Sequence, residues 1–187
     1  MSTLAFAQFL ADAAAKGEAV NTVFEARLFD VVDILHKITD ALASEDIPHE
    51  LIGGLAVLIH VEETNPEHST LTRDVDLMVR RADLERIKDV AARNGFRHTA
   101  GLDMLLYGET DSARNAVHLL FSGEKVRPNQ ATPNPPIQPV RKVIHAGEVL
   151  VMPVADLVRM KLSAYRDKDR VHIRSMDAAG LINNSGS

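Results

Sequence analysis

The sequence predicts an α/β (α+β) fold: a small mixed β-sheet flanked by helices, with a helical segment at the N-terminus. Three observations predict it. Helical apolar spacing dominates residues 1–46 and 152–182, whereas short runs with strand alternation fall between them, over 47–151. A diglycine, Gly53-Gly54, stands between a strand and an apolar helical segment. Two acids, Asp74 and Asp76, lie on a second strand 20 residues beyond Gly54 (74 − 54). With 187 residues the chain is long enough for one domain with a proper core. That domain is read as residues 1–182, and 183–187 as a disordered tail.

Taken in order, residues 3–16 are rich in Ala, Leu and Phe and read as a helix that stops near Gly17. From Asn21, a suitable N-cap, to Ser44 a single apolar stripe runs through Phe24, Leu28, Val31, Leu35, Ile38 and Leu42. This helix is expected to cover the sheet, with pairing to another protomer as the alternative. Pro48 to Ile52 is a short strand, and Leu55 to Val61 an apolar helix opened by the two glycines. A polar loop, 62–71, leads to the strand that carries the acids. There Val75, Leu77 and Val79 alternate with Asp74, Asp76 and Met78, so one face is apolar and the other acidic. Leu84, Ile87, Val90 and Ala91 mark a helix that Asn94-Gly95 ends. Phe96–Thr99 and Met104–Tyr107 read as strands joined around Gly101, and Asn115–Phe121 as another, with His118 opposite Val117, Leu119 and Phe121.

Five of the eight prolines fall between Pro128 and Pro139, which excludes regular structure there. That segment is read as a surface connector, with a flap over a site as the alternative. Val140 to Val151 is a hairpin around Ala146-Gly147. Pro153 suits the first position of a helix to about Arg166, buried through Val154, Leu157, Val158, Leu162 and Tyr165. A last helix is expected over Val171–Ala179, ending at Gly180.

A net charge of −5 argues against a large general nucleic-acid surface. There is no cysteine, which excludes disulfides and thiolate metal sites. The longest apolar run, 51–59, is far short of a membrane span. The N-terminus lacks a basic region and carries Asp12 in its apolar stretch, so the expected location is the cytoplasm.

The chemistry concentrates between Leu51 and Arg80. A strand, two glycines and a helix N-terminus make an anion site, because the backbone can come close and free amides and the helix dipole favour phosphate. The dinucleotide fingerprint and the P-loop are both excluded by spacing. Asp74 and Asp76, two apart on a strand, point the same way about 7 Å apart. Such a pair suits magnesium or manganese, which take oxygen ligands and complete their shells with waters and substrate phosphates. Thr72 is placed to bind a phosphate or to cap the strand entry. His60 and His68 have no zinc-like spacing and read as surface or local hydrogen-bonding residues.

The beginning Gly53-Gly54-Leu55-Ala56 and the ending Thr72-Arg73-Asp74-Val75-Asp76-Leu77 resemble the nucleotidyltransferase fold of the polymerase-β superfamily, most closely the AbiEii-type and minimal bacterial enzymes. The likeness is densest over 51–80, with looser echoes to about 182. It implies metal-dependent transfer of a nucleoside monophosphate from a nucleoside triphosphate to a hydroxyl. Asp74 and Asp76 would hold metal, Gly53, Gly54 and Thr72 would meet the triphosphate, and a lysine on a C-terminal helix would neutralise it. Lys161, followed by Arg166, Lys168 and Asp169, resembles that last arrangement. A lysine snorkelling along the surface is the competing reading, and Arg166 and Lys168 read as a solvated charge run. The resemblance also implies a toxin of a toxin–antitoxin pair, with an antitoxin as partner. The acceptor stays open between a tRNA end, a protein hydroxyl and a small molecule.

Two departures stand out. The superfamily's third carboxylate is replaced on the Asn115–Phe121 strand by His118. A neutral imidazole can accept a proton, so His118 suits base work, or else it only packs and the chain is a nucleotide-binding module of impaired activity. Asp103 is the fallback acid. Thr70 stands where related sequences carry an arginine. Lys125 and Arg127 read as a solvated turn, with a place facing acceptor or nucleotide as the alternative.

Overall fold

The structure, a computed structural model, describes residues 30–70, 72, 74–99, 101–108, 116–144 and 147–182. The expected helix over 3–16, the Asn21 cap, Phe24, Leu28, Arg73 and the tail lie outside the described residues.

Seven strands among the described residues form one mixed sheet. They are β1 (His49–Ile52), β2 (Val75–Val79), β3 (Phe96–Thr99), β4 (Met104–Tyr107), β5 (Ala116–Phe121), β6 (Val140–Ile144) and β7 (Gly147–Val151). Their spatial order is β3-β4-β5-β2-β1-β7-β6. β1 runs antiparallel to β2 and parallel to β7, β2 runs parallel to β5, and antiparallel partners complete both edges. The two parallel pairings follow from long connections, which bring β5 and β7 beside the β1–β2 pair from far along the chain. One register row decides the rest: Ile52 pairs with Asp76, Asp76 with His118, and His118 with Met104. Paired residues point the same way, so Ile52, Asp76 and His118 share a face, and alternation puts Leu51, Val75, Leu77, Val117, Leu119 and Phe121 on the other.

That second face is apolar and deeply buried. α1, described over 30–43, buries Val31, Leu35, Ile38 and Leu42 into the common core. Its Lys37 ammonium sits 4.6 Å from the centre of the Tyr107 ring on β4. The expected cover over the sheet is therefore seen in the part of the helix described. α3 (Leu84–Arg93) buries Ile87, Val90 and Ala91 and ends at Asn94-Gly95. The acidic face of β2 is shorter than alternation suggested: Met78 is fully buried, so polarity is confined to the strand's start. Asp74 precedes the strand.

α2 (Gly53–Thr64), α4 (Val154–Ala164) and α5 (Asp167–Ala178) pack against one another. α2 begins on the glycines themselves. His60, read as a surface or local hydrogen-bonding residue, is buried, and its Nε2 lies 2.9 Å from the Met152 carbonyl, tying α2 to the entry of α4. His68 is exposed, and its carbonyl accepts a hydrogen bond from the Ser175 hydroxyl.

α4 differs from expectation in its buried face. Leu162 and Tyr165 are 54% and 57% exposed, and Lys161 is buried in their stead. The reason is angular: the inward stripe runs Val154, Leu157, Val158, Lys161, and Leu162 lies about 100° further round the helix. α5 begins four residues earlier than the apolar pattern implied. The Asp169 carboxylate accepts hydrogen bonds from the Arg166 backbone amide at 3.1 Å and from Arg166 Nε at 2.7 Å, which closes the helix start. Among the described residues no helix is long and apolar enough to cross a membrane.

Candidate active site

The site is built where three elements meet the Ile52–Asp76–His118 row. Gly53 follows Ile52 with a φ of +74°, a conformation that favours glycine. A Cβ on Gly53 would lie 2.1 Å from Asp76 Oδ2, so only glycine lets the carboxylate come against the start of α2. Gly54 is required for a second reason. Its Cβ would lie 2.6 Å from Thr72 Oγ1 and 3.1 Å from His172 Cε1.

Two cavities open on this row. One, of about 310 Å³, is bounded by Gly53, Gly54, Thr72, Lys161, Lys168 and His172, with both aspartates at its edge. The other, of about 370 Å³, shares Gly53, Asp74, Asp76, Lys161, Arg166 and Lys168 and continues past His118 to Arg127, Asn129, Gln130 and Met160. The structure thus brings together Gly53, Gly54, Thr72, Asp74, Asp76, His118 and Lys161. Asp103 is not among them. One residue from Met104 in the register row, it turns to the opposite side, where Arg81 binds it at 3.3 Å.

Charge is arranged unevenly. Burial pushes the Asp76 carboxyl above its ordinary value and the Asp74 charge adds to that, against the pull of His118, Lys168 and Lys161. Lys161 is displaced downward by burial, opposed by Asp169 and Asp76. Its Nζ lies 2.9 Å from His172 Nδ1 and 3.7 Å from Asp169 Oδ1. Burial and the neighbouring Lys161 charge hold His172 down at about 4, so its ring is neutral at ordinary pH. Burial raises the Asp169 carboxyl, but its hydrogen bonds to Arg166 outweigh this and leave it below the usual range.

The chain has solved structural neighbours of the same architecture. The antibiotic-resistance factor ANT(2'')-Ia, an aminoglycoside nucleotidyltransferase, matches in a crystal structure with adenylyl-2''-tobramycin. The TM-score is 0.53 at 16% identity, over 79% of this chain and 86% of that one. A solution structure of the same factor gives 0.52 at 16% identity, over 79% and 81%. A Megavirus polyadenylate synthase gives 0.52 at 11% identity, covering 96% of this chain and 39% of its own. The fold is a nucleotidyltransferase-like fold. No protein-family model and no curated protein sequence matches the chain.

Sequence reasoning missed several lining residues. Arg166 and Lys168, read as a solvated run, line both cavities. Arg127, with a place facing acceptor or nucleotide as the alternative to a solvated turn, lines the larger. Lys125 does not. The proline-rich connector is a braced wall. Asn134 is buried and donates from Nδ2 to the Phe121 carbonyl, while Gln130 accepts from the Val126 amide and donates to the Thr132 carbonyl. His172 was legible in principle, since Asp169, His172 and Met176 share one face of α5 by spacing, and all are buried.

Glu50 was also missed. It is fully buried on β1, facing the same way as Ile52. One oxygen accepts from the Gln138 amide at 3.1 Å and the other has no partner among the described residues. Burial pushes its carboxyl up to about 7.

Proposed function

We propose that this chain transfers a nucleoside monophosphate from a nucleoside triphosphate to a hydroxyl acceptor. The observation that carries the reading is the half-buried Asp76 carboxylate, seated against Gly53 at the start of α2 and facing a cavity edged by Lys161, Arg166 and Lys168. A polyphosphate fits that edge, because free amides at the helix start and three cations surround it.

A magnesium or manganese ion fits the donor set. Asp74 and Asp76 both line the two cavities, and among the described residues no cation forms a salt bridge with either. Among the described residues no group of three or more metal-ligating side chains is gathered. Two carboxylates with waters and phosphate oxygens still suffice for such an ion. The chemistry it supplies when bound is charge neutralisation across the phosphates.

The chain's own residues do the rest. Gly53, Gly54 and Thr72 bind the outer phosphates, and Lys161 offsets their charge. The acceptor oxygen forms a bond to the α-phosphorus, the bond to the β-phosphate oxygen breaks, and pyrophosphate leaves. His118, which pairs with Asp76 across β2 and β5 and lines the larger cavity, takes the hydroxyl proton in this reading. The toxin role and an antitoxin partner rest on the sequence resemblance alone. His118, standing on β5 beside Asp76 where the resemblance expects a third carboxylate, favours one second reading, a nucleotide-binding module without turnover.

Incubation with each labelled triphosphate, magnesium and cell extract tests the proposal. Label transferred to a defined acceptor, with release of pyrophosphate, is the expected result. Magnesium-dependent triphosphate binding without transfer to any acceptor would support the module, and no binding would overturn both readings.

A further inference from the structure

His172 lies outside the residues that the transferase reading uses, yet it touches two of them. Its Cε1 is 3.1 Å from the position of a Cβ on Gly54, and its Nδ1 is 2.9 Å from Lys161 Nζ. Both side chains are buried, at 7% and 6% exposure, so neither has ready access to water as a substitute partner.

Lys161 has a competing attraction. Asp169 Oδ1 is 3.7 Å away, and this carboxylate is already bound by Arg166 through its backbone amide and its guanidinium. An ammonium has donors only, so in the contact with His172 it is Lys161 that donates and Nδ1 that accepts, which leaves the ring proton on Nε2. A neutral acceptor in this place orients the ammonium without cancelling its charge. A carboxylate there would cancel it.

We infer that His172 is a positioning residue: its ring holds the Lys161 ammonium beside the diglycine turn, available to a bound polyphosphate, and keeps it from closing onto Asp169. The inference rests on the transferase reading for the polyphosphate and on the geometry of this chain for the Lys161–His172 contact. It also gives α5 a part in the site beyond covering the core.

The test is calorimetric titration of the full chain with inorganic tripolyphosphate and magnesium. It compares the wild type, His172→Leu, His172→Asn, Lys161→Met and the Lys161→Met/His172→Leu double variant. A hydrogen bond to a charged group is strong enough that losing its direction should weaken binding at least about tenfold in His172→Leu. His172→Asn, which keeps an acceptor near the Nδ1 position, should recover most of that loss. In the Lys161→Met background the Leu change should cost less than about twofold, because the partner it positions is gone. A folded His172→Leu that binds as the wild type does overturns the inference, and so does an equal loss with and without Lys161. A wild-type protein that binds no tripolyphosphate overturns the transferase reading and this inference together, a distinct pattern. Should His172→Leu not fold, imidazole nitrogen spectra of the wild type and Lys161→Met decide. The expected result is an Nε2–H tautomer whose Nδ1 signal moves on loss of the lysine, and an unmoved signal overturns the inference.

Discussion

Asp76 and Asp103 lie near the same register row of one sheet, about two strands apart, and have opposite surroundings. Asp76 faces a cavity, meets a glycine backbone and forms no salt bridge among the described residues. Asp103 turns to the other side and is bound by Arg81, which also holds Glu124 at 2.8 Å and lies over the Phe121 ring. The difference teaches what makes an acid available. A carboxylate already neutralised by a guanidinium has little to offer a cation, whereas one left half-buried and unpaired carries a cost that a cation relieves. Composition cannot distinguish the two. Side-chain direction on the sheet does.

The largest expected effect is at Asp76. Asp76→Asn keeps the shape and removes the charge, so transfer should fall roughly a hundredfold to a thousandfold, as for other preorganised electrostatic groups. The stabilisation by magnesium and triphosphate together, read as a rise in melting temperature, should largely disappear while the apo protein stays folded. A variant with an undiminished shift would place the ligand elsewhere and break the comparison at its stronger end.

His118 sharpens the comparison, since it is the neighbour that distinguishes the Asp76 side. Paired with Asp76 across β2 and β5, it faces the same cavity. His118→Ala should lower the transfer rate by about a hundredfold, the low end for a general base, with triphosphate affinity little changed. His118→Asp should preserve or raise the rate, because a carboxylate both accepts a proton and binds a cation. An Ala variant with altered stability and an unchanged rate would reduce His118 to packing.

Much of the fold was legible because its elements carry strong local signals. The strands 96–99 and 104–107, the helix ended by Asn94-Gly95 and the hairpin over 140–151 all rest on alternation or turn chemistry. The diglycine and Asp-x-Asp pair were visible by spacing, and the structure sets them against each other. What sequence could not supply is direction. Lys161 was placed at the edge of a helix face, but only packing shows that it displaces Leu162 from the buried stripe. The prolines between 128 and 139 excluded regular structure and could not reveal that Asn134 and Gln130 brace the segment into a wall. Asp103 and Glu50 have no local pattern that separates a paired acid from a buried neutral one.

Glu50 extends the comparison to an acid with neither cavity nor cation. With its folded pKa raised to about 7, the native state keeps a proton that the unfolded chain loses near 4.5. The sign follows: this contribution is fully present below the unfolded value and is lost as pH rises to 7, at up to about 1.4 kcal/mol per unit. His172, held down at about 4, works in the opposite direction between that value and about 6.5. The difference between Glu50→Gln and wild type isolates the first effect. Denaturant titrations from pH 4.5 to 7 should show the variant gaining on the wild type as pH rises. A constant difference would mean that Glu50 ionises in the fold with a partner the described residues do not reveal.

The smallest effect is expected at Asp103, and it tests the comparison from its other side. Asp103 and Arg81 are 37% and 46% exposed at the side chain, so water and salt screen their attraction. Such pairs contribute about 0–1 kcal/mol, and Arg81 keeps Glu124 and the Phe121 ring when Asp103 is neutralised. Asp103→Asn should therefore leave the transfer rate within about twofold and the stability within about 1 kcal/mol. Arg81→Met removes all three partners at once and should destabilise more, with the excess shrinking in high salt. If Asp103→Asn instead abolished transfer while the protein stayed folded, the acid would reach the site in a state other than this one. The contrast between a free and a paired carboxylate would then no longer mark the site.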